Sequence, residues 1–428
     1  MENNLLNKDQ RRIDWITMFL LVANSANPFF FQSIEMLFLS FLFLILLWYV
    51  KKGEATRLNK YFWIYMGALL TLQLAQSLVY HLFPIKTFLG EYLRIAFAML
   101  ALKILGDTFF DRFVKFVYVF AVISLCFYIP CVLIKGLAPF LINNVAKYTL
   151  APFVNNFEGL YNSRENLIIF NLSQIQTYRN SGFYWEPGSH GGFLILALFI
   201  NLFYRKEDWK SRYNKIFFIT ILTTLSTTTY LALFLVLLVY LKDFFVRRPA
   251  LSLFFFLSII GGALLLYNKL SFLQNKIDKQ IAYSHKGDPG ESRFNSFLAD
   301  MKTLNEHPYI GSGRNSEMKF GKTFYNVDPH AKHRNNGVGV LLGTYGFFFF
   351  CLFLYLSWLS YYKALQDRPN AVAGVAVLLL IAFSEDYFFK PFFIAWILYC
   401  GVTVVSAESR TIIRSKKMKL GKNILSHE

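Results

Sequence analysis

The chain has 428 residues, of which 55% are hydrophobic, 19% aromatic and only 16% charged, and its formal net charge is +18. Globular domains average about 25% charged residues, so this composition excludes a soluble enzyme, a disordered chain and a fibrous repeat. Long apolar runs recur between residues 13 and 407 without the alternation of a transmembrane β-barrel. The sequence therefore predicts an all-α, polytopic membrane protein.

The apolar runs predict about twelve transmembrane helices. They lie near residues 13–27, 30–50, 61–80, 88–106, 113–134, 188–204, 214–226, 227–241, 250–267, 336–362, 372–384 and 392–407. The first lacks a small-residue cleavage site and is expected to be a retained anchor. The stretch 214–241 could form one tilted helix, but basic residues flank both of its ends. The positive-inside rule therefore favours two short helices that turn near Ser226–Thr229.

Most basic residues lie in short connectors, and this arrangement predicts cytoplasmic connectors and two cytoplasmic termini rather than nucleic-acid binding. The chain 1–428 is then a single membrane domain with two large periplasmic loops, at about 135–187 and 268–335. The four cysteines all lie in apolar runs, which disfavours disulfides and a cysteine metal site.

The second loop carries eleven Lys and Arg residues against seven Asp and Glu residues, which favours an anionic partner. Its apolar residues follow a helical period from Phe294 to Leu304, so an amphipathic helix is predicted there, ended by Gly311 and Gly313.

The segment from Arg179 to Gly192 lies where the first loop meets a membrane helix. Pro187 suits a helix start, backbone N–H groups there attract anions, and Arg179 adds a fixed cation suited to phosphate. The alternative interpretation is a capped helix start with interfacial aromatic residues.

Further candidates lie in and just after the second loop. Arg293 and Arg314 are either phosphate ligands or solvated charges. His330 and His333 are candidate general bases, with too few nearby ligands for a metal site. Asn336 fits the cap of the following helix equally well.

Ionisable residues also occur within or beside the apolar runs, where charges normally face a cavity or a partner. Arg94 is the strongest candidate, with an ion pair to Glu91 or Glu35 as the structural alternative. Glu385, Asp386 and Lys390 are interpreted as an external turn, although they belong to the same set.

Three stretches resemble the O-antigen polymerase and O-antigen ligase superfamily of bacterial membrane glycosyltransferases. Arg179 with Gly182, Glu186 and Pro187 resembles the R-x-x-G-x-x-x-E-P motif of polymerases. The stretch from Leu225 to Ala232 resembles a family helix, with Thr where many members carry Arg. The C-terminal motif of the family is similar to a series of residues in this chain, namely Arg293, residues 307–313, His333, Asn336 and Gly346. Asn335 stands where many members have His.

The resemblance implies a GT-C-like fold in the bacterial inner membrane and a polymerase that needs no metal or cofactor. It would transfer a growing glycan from undecaprenyl pyrophosphate to the terminal sugar of a lipid-linked repeat unit on the periplasmic face. Membrane lipids and a chain-length regulator would be its other partners. His333 would be the base, with His330 and Glu186 as substitutes. The residues that would bind pyrophosphate and substrate are Arg179, Arg293, Arg94, Arg314, Tyr184 and Asn336.

Two alternatives stay open. An O-antigen ligase would use the same donor but transfer the glycan to lipid A–core. A lipid-linked oligosaccharide flippase would carry inverted repeats and broken helices near the bilayer midplane; no internal repeat is visible in the sequence.

Overall fold

The computed structural model describes residues 2–51, 57–58, 60–149, 166–172, 178–248, 278, 293–315 and 336–403. The predicted span 250–267 and the candidate bases His330 and His333 lie outside the described residues.

Helices make up most of the described chain. They are α1 Glu2–Ala26, α2 Pro28–Phe31, α3 Ile34–Val50, α4 Lys60–Tyr80, α5 Ile85–Leu105, α6 Phe109–Leu133, α7 Leu137–Asn144, α8 Pro187–Phe203, α9 Arg212–Thr224, α10 Thr227–Tyr240, α11 Lys242–Arg247, α12 Arg293–Glu306, α13 Gly337–Leu365, α14 Arg368–Ala382 and α15 Pro391–Leu398. Each predicted span within the described residues corresponds to a helix. The last is shorter than predicted, because a 3₁₀ turn, Tyr399–Gly401, follows Leu398.

Three helical stretches in the described residues are long and apolar enough to cross a bilayer. They are Lys60–Tyr80, Ile85–Leu133 and Gly337–Leu365. Large apolar side chains also point outward, among them Leu46, Trp63 and Leu78, which are 61%, 64% and 75% exposed. A soluble domain rarely exposes so much continuous apolar surface. The described chain has the make-up of a helical membrane protein.

The stretch 214–241 forms two helices, as predicted. Helix α9 ends at Thr224, Leu225 adopts a left-handed conformation with a φ of 47°, and α10 begins at Thr227. The Tyr230 hydroxyl donates to the carbonyl of Leu222 at 2.8 Å and holds the turn closed. Hydroxyl groups near the turn thus bond to backbone that the interrupted helix leaves unpaired.

Several predicted cytoplasmic clusters meet at one end of the helical bundle. Asp14 forms ion pairs with Lys51 at 2.9 Å and with Arg112 at 3.0 Å. Arg205 pairs with Asp111 at 3.3 Å. A short antiparallel pair, β1 Arg57–Leu58 with β2 Val402–Thr403, joins the α3–α4 connector to the chain after α15. The connectors α3–α4, α5–α6 and α8–α9 therefore share one end, and the candidate site lies at the other.

The predicted amphipathic helix is present as α12, but its buried face, which packs against α13, is polar. Asn295, Ser296 and Asp300 are buried, whereas Phe294 and Leu298 are exposed. Gly339 and Gly343 of α13 have no side chain, so the backbone of α13 comes within van der Waals distance of Asp300. Phe294 and Leu298 therefore point outward, as apolar residues do in helices that lie at a membrane interface, whereas Phe297 packs on Phe383.

Candidate functional site

Arg179 is held by the turn between α9 and α10. Its Nε donates to the carbonyl of Thr224 at 3.0 Å, and the neighbouring Asn180 bonds to the carbonyl and the side chain of Thr223. Gly182 has a φ of +54°, and the ring of His190 occupies the space that a Cβ there would need, at 2.5 Å. The spacing from Arg179 to Gly182 thus reflects a turn that only glycine fits.

Glu186 and Pro187 begin α8 as the sequence predicts. Glu186 is extended and occupies the N-cap position, Pro187 is the first helical residue, and the N–H of Trp185 bonds to the carbonyl of Ala26 at the end of α1. The Glu186 side chain makes no capping bond and is 32% exposed, so it is available to the site.

Arg293, the first residue of α12, brings two carboxyl groups together. Its Nη2 lies 3.1 Å from Oε1 of Glu385 and 3.7 Å from Oε1 of Glu186. Its Nε donates to the carbonyl of Ser384 at 2.8 Å. The predicted residues Arg293 and Glu186 are therefore neighbours, and Arg179 is close enough to both for Glu186 and Arg293 to influence its pKa. Burial lowers the pKa of Arg179, and Glu186 counters this effect.

Glu385 lies at the centre of this group. It is 5% exposed and accepts a hydrogen bond from Nε1 of Trp185 at 3.3 Å. Burial raises the pKa of Glu385 well above its usual range, and the nearby Glu186 raises it further. Sequence reasoning placed Glu385 in an external turn and missed this role. An acidic residue directly after the apolar run of α14 was the available signal.

Asn336 is a helix cap that supports Arg293. Its Oδ1 accepts from the N–H of Gly339 at 2.8 Å, and its Nδ2 donates to the carbonyl of Arg293 at 3.4 Å. Because Asn336 is fully buried, the structure supports the capping alternative over direct contact with substrate.

Tyr184 lies in the hydrophobic core and does not face the charged group. It is 0% exposed, and its ring packs on His190 and Phe193 with centroids 5.1 and 4.6 Å away. The predicted substrate-binding role of Tyr184 therefore has no geometric support, because its large apolar ring fills core space beneath α8.

A second charged group surrounds Glu91 on α5. Arg314 Nη1 lies 3.3 Å from Glu91 Oε1, and Tyr345 and Gln73 donate to the same carboxylate. The guanidinium of Arg314 also lies 4.3 Å from the ring centroid of Phe389. Glu91 thus pairs with Arg314 and not with Arg94, whose Nη1 bonds to the carbonyl of Gly90 at 3.4 Å. Arg314 has a structural partner, and the Arg94 guanidinium makes only the bond to Gly90 within the described part of the chain.

A small pocket with a free volume of about 10 Å³ adjoins this second group. Its lining combines the charged residues Glu91, Arg94 and Arg314 with apolar and aromatic side chains of α4, α5, α13 and α15. The pocket has room for about one water molecule, and it brings the cations of Arg94 and Arg314 next to apolar walls.

The loop that carries Arg314 is anchored in a break of α13. Gly346 is non-helical there, with a φ of 74°, and the loop fills the gap through three backbone bonds, from Ser312 to Gly343, from Gly313 to Thr344 and from Phe347 to Pro308. Gln76 and Tyr80 of α4 donate to carbonyls of the same loop. These bonds replace helical pairing that the break removes, as is needed where a membrane helix is interrupted.

Lys390 lies between the two charged groups. Its Nζ is 4.1 Å from the ring centroid of Phe31 and 5.4 Å from that of Trp185. Burial lowers the pKa of Lys390 to about 8, and the carboxylate of Asp386 opposes this shift. Glu385, Arg94 and Arg314 also influence the pKa of Lys390, so the two charged groups adjoin each other.

Comparison with protein-family models gives no match for this chain, and comparison with curated protein sequences gives none either.

Proposed function

We propose that the protein is a polymerase of lipid-linked glycan repeat units in the bacterial inner membrane. The observation that carries the proposal is the contact of Arg293 with Glu186 at one end of an apolar helical bundle, with Arg179 close enough to interact electrostatically with both. A lipid diphosphate needs apolar surface for its chain and fixed cations for its head group. The exposed apolar side chains of the bundle and these two arginines offer both, and Arg94 adds a cation beside a small pocket.

The proposed step is a direct displacement at the anomeric carbon of the donor glycan. A hydroxyl oxygen of the acceptor sugar forms the new bond to this carbon, while the bond to undecaprenyl pyrophosphate breaks. The pyrophosphate leaves with the bonding electron pair, and its growing negative charge is stabilised by guanidinium groups that are already in place. Arg179 and Arg293 have this role, since a planar guanidinium can bind phosphate oxygens in pairs.

The acceptor hydroxyl must pass its proton to a base as it attacks. His333 remains the first candidate and His330 the second, and both lie outside the described residues. Glu186 is the candidate within them, since its partly exposed carboxylate lies 3.7 Å from Arg293.

Incubation of the purified full-length protein with a defined undecaprenyl-pyrophosphate-linked repeat unit tests the proposal. A ladder of products on a gel is the expected result. Products with no change in glycan length, together with flipping of the lipid between leaflets of vesicles, would favour the flippase. In cells that lack the protein, single repeats on lipid A–core support the polymerase, whereas loss of all attached glycan points to the ligase.

A further inference from the structure

Glu186 and Glu385 belong to distant parts of the chain and meet at one guanidinium. Each has an oxygen within 4 Å of Arg293 Nη2, at 3.7 Å for Glu186 and 3.1 Å for Glu385. Gly188 makes this approach possible, because a Cβ there would lie 2.6 Å from Oε1 of Glu385 and 3.6 Å from Oε1 of Glu186. Two carboxyl groups this close repel each other when both are ionised, so the pair favours keeping a proton on one of them.

The surrounding groups decide what that proton does to the charge of the site. Arg293 and Arg179 face the pair from α12 and from the loop before α8. Tyr387, Lys390 and Asp386 lie on the same turn as Glu385, and the Tyr387 hydroxyl donates to Ser189. If both glutamates are ionised, they cancel the charge of the two arginines. If one proton stays on the pair, the four groups together are positive.

We propose that Glu186 and Glu385 hold one proton between them, and that this proton keeps the arginine site positive enough to bind a diphosphate. Glu385 is a positioning residue in this scheme, because it is buried and acts through Arg293 and Glu186. Loss of the proton places a second negative charge beside the bound diphosphate. The ligand class rests on the proposed function, whereas the shared proton rests on the geometry of the carboxyl groups.

Burial agrees with this assignment. Glu385 is 5% exposed and receives hydrogen bonds from Trp185 and Arg293 on its two oxygens. Burial raises the pKa of Glu385 well above its usual range, and Glu186 acts in the same direction. A ligand that favours the protonated pair must bind less tightly as the pH rises through that raised pKa.

The test measures binding of radiolabelled farnesyl diphosphate, a soluble isoprenoid diphosphate, to the purified full-length protein between pH 5.5 and pH 9. Glu385→Gln is a neutral side chain of the same size that cannot lose a proton. Its amide oxygen can accept from Trp185, and Arg293, which loses the bond of Nη2 to Glu385, keeps the bond of its Nε to the carbonyl of Ser384. We expect the variant and the wild type to bind equally at the acid end. At the alkaline end the variant should bind at least about tenfold more tightly, because the wild type then has one more negative charge beside the bound diphosphate.

Asp386→Asn is the matched control, because it removes the neighbouring carboxylate of the same turn and leaves the pair intact. It should show no alkaline gain comparable to that of Glu385→Gln, because its carboxyl pair still titrates. Asp386 and Glu385 both raise the pKa of Lys390, so both variants lower that pKa, and the comparison between them corrects for the titration of Lys390. Thermal unfolding of each protein separates altered binding from loss of the fold.

Parallel binding curves for wild type and Glu385→Gln over the whole range would overturn the inference, as would undetectable binding by the wild type at pH 5.5. If the protein makes a glycan ladder but the binding curves are parallel, the inference of a shared proton fails and the proposed function is still supported. If the binding curves diverge but the protein makes no glycan ladder, the shared proton is supported and the proposed function fails.

Discussion

The guanidinium of Arg293 and the carboxyl group of Glu385 lie 3.1 Å apart, although 92 positions separate them in the chain. This contact joins the start of α12 to the turn between α14 and α15. Glu186 at the start of α8 reaches the same guanidinium. Three parts of the chain that are remote in sequence thus meet in one charged group, and replacing any of its members should affect the same step.

Arg179→Ala and Arg293→Ala should each abolish glycan polymerisation, because each removes a fixed cation from the diphosphate site. Lysine at either position should also impair activity, since an ammonium group does not reproduce two parallel bonds to phosphate oxygens. The measurement is the glycan ladder in cells and with purified protein. Arg12→Ala is the control, because Arg12 is exposed on α1 and pairs only with the equally exposed Asp9 among the described residues. A ladder of wild-type length from both alanine variants would contradict the assignment.

Gly188→Ala should reduce activity strongly even though alanine suits a helix better than glycine. The added methyl group would lie 2.6 Å from Glu385 Oε1, so the carboxyl pair must separate. Gly67→Ala is the matched control, because no atom lies within 4 Å of a Cβ at that position of α4. The control should be active and slightly more stable, by about 1 kcal/mol or less. Equal ladders from the two variants would show that the spacing at Gly188 does not matter.

Local sequence patterns predicted much of this architecture. The start of α8 at Pro187, the break between α9 and α10, the helix α12 and the cap at Asn336 all follow from residue types that act within a few positions. Such features depend on hydrophobic period, turn chemistry and capping, which are readable in one sequence.

The long-range pairings could not be predicted in the same way. The sequence suggested an ion pair of Arg94 with Glu91 or Glu35, whereas in the structure Glu91 pairs with Arg314, more than two hundred positions away. The polar packing face of α12 also escaped prediction, since it depends on glycines of α13 that lie in a different part of the chain. The burial of Tyr184 could not be predicted either, because the sequence alone does not show whether an aromatic residue beside a motif faces a site or the core.

Replacing Glu91 or Arg314 should destabilise the protein more than replacing both. Glu91 is 4% exposed and Arg314 27%, so a single Gln substitution leaves the other charge largely buried and unpaired. Breaking such a pair costs about 3–5 kcal/mol, and the partial exposure of Arg314 favours the lower end of this range. Unfolding of Glu91→Gln, Arg314→Gln and the double variant in detergent gives the coupling energy. Arg12→Gln should change stability by no more than about 0.5 kcal/mol; strictly additive effects at Glu91 and Arg314 would exclude the pairing.

His333→Ala should cause a large loss of polymerisation with unchanged diphosphate binding, because a base acts on the acceptor hydroxyl and not on the leaving group. The same pair of measurements on His330→Ala and Glu186→Gln separates the three candidates. If only His330→Ala loses activity in this manner, the base lies three residues earlier. If only Glu186→Gln does, the base belongs to the carboxyl pair.

Gly346→Ala should disrupt the loop that carries Arg314. Gly346 has a φ of 74° and a ψ of 176°, a region that residues other than glycine enter at a cost of about 1–3 kcal/mol. A Cβ there would also lie 2.3 Å from the carbonyl oxygen of Tyr309, which is backbone and cannot rotate away. We therefore expect lower thermal stability than in Gly67→Ala, and faster amide exchange at Ser312 and Gly313, whose N–H groups bond to α13. Unchanged exchange at these two amides would show that the break in α13 does not depend on glycine.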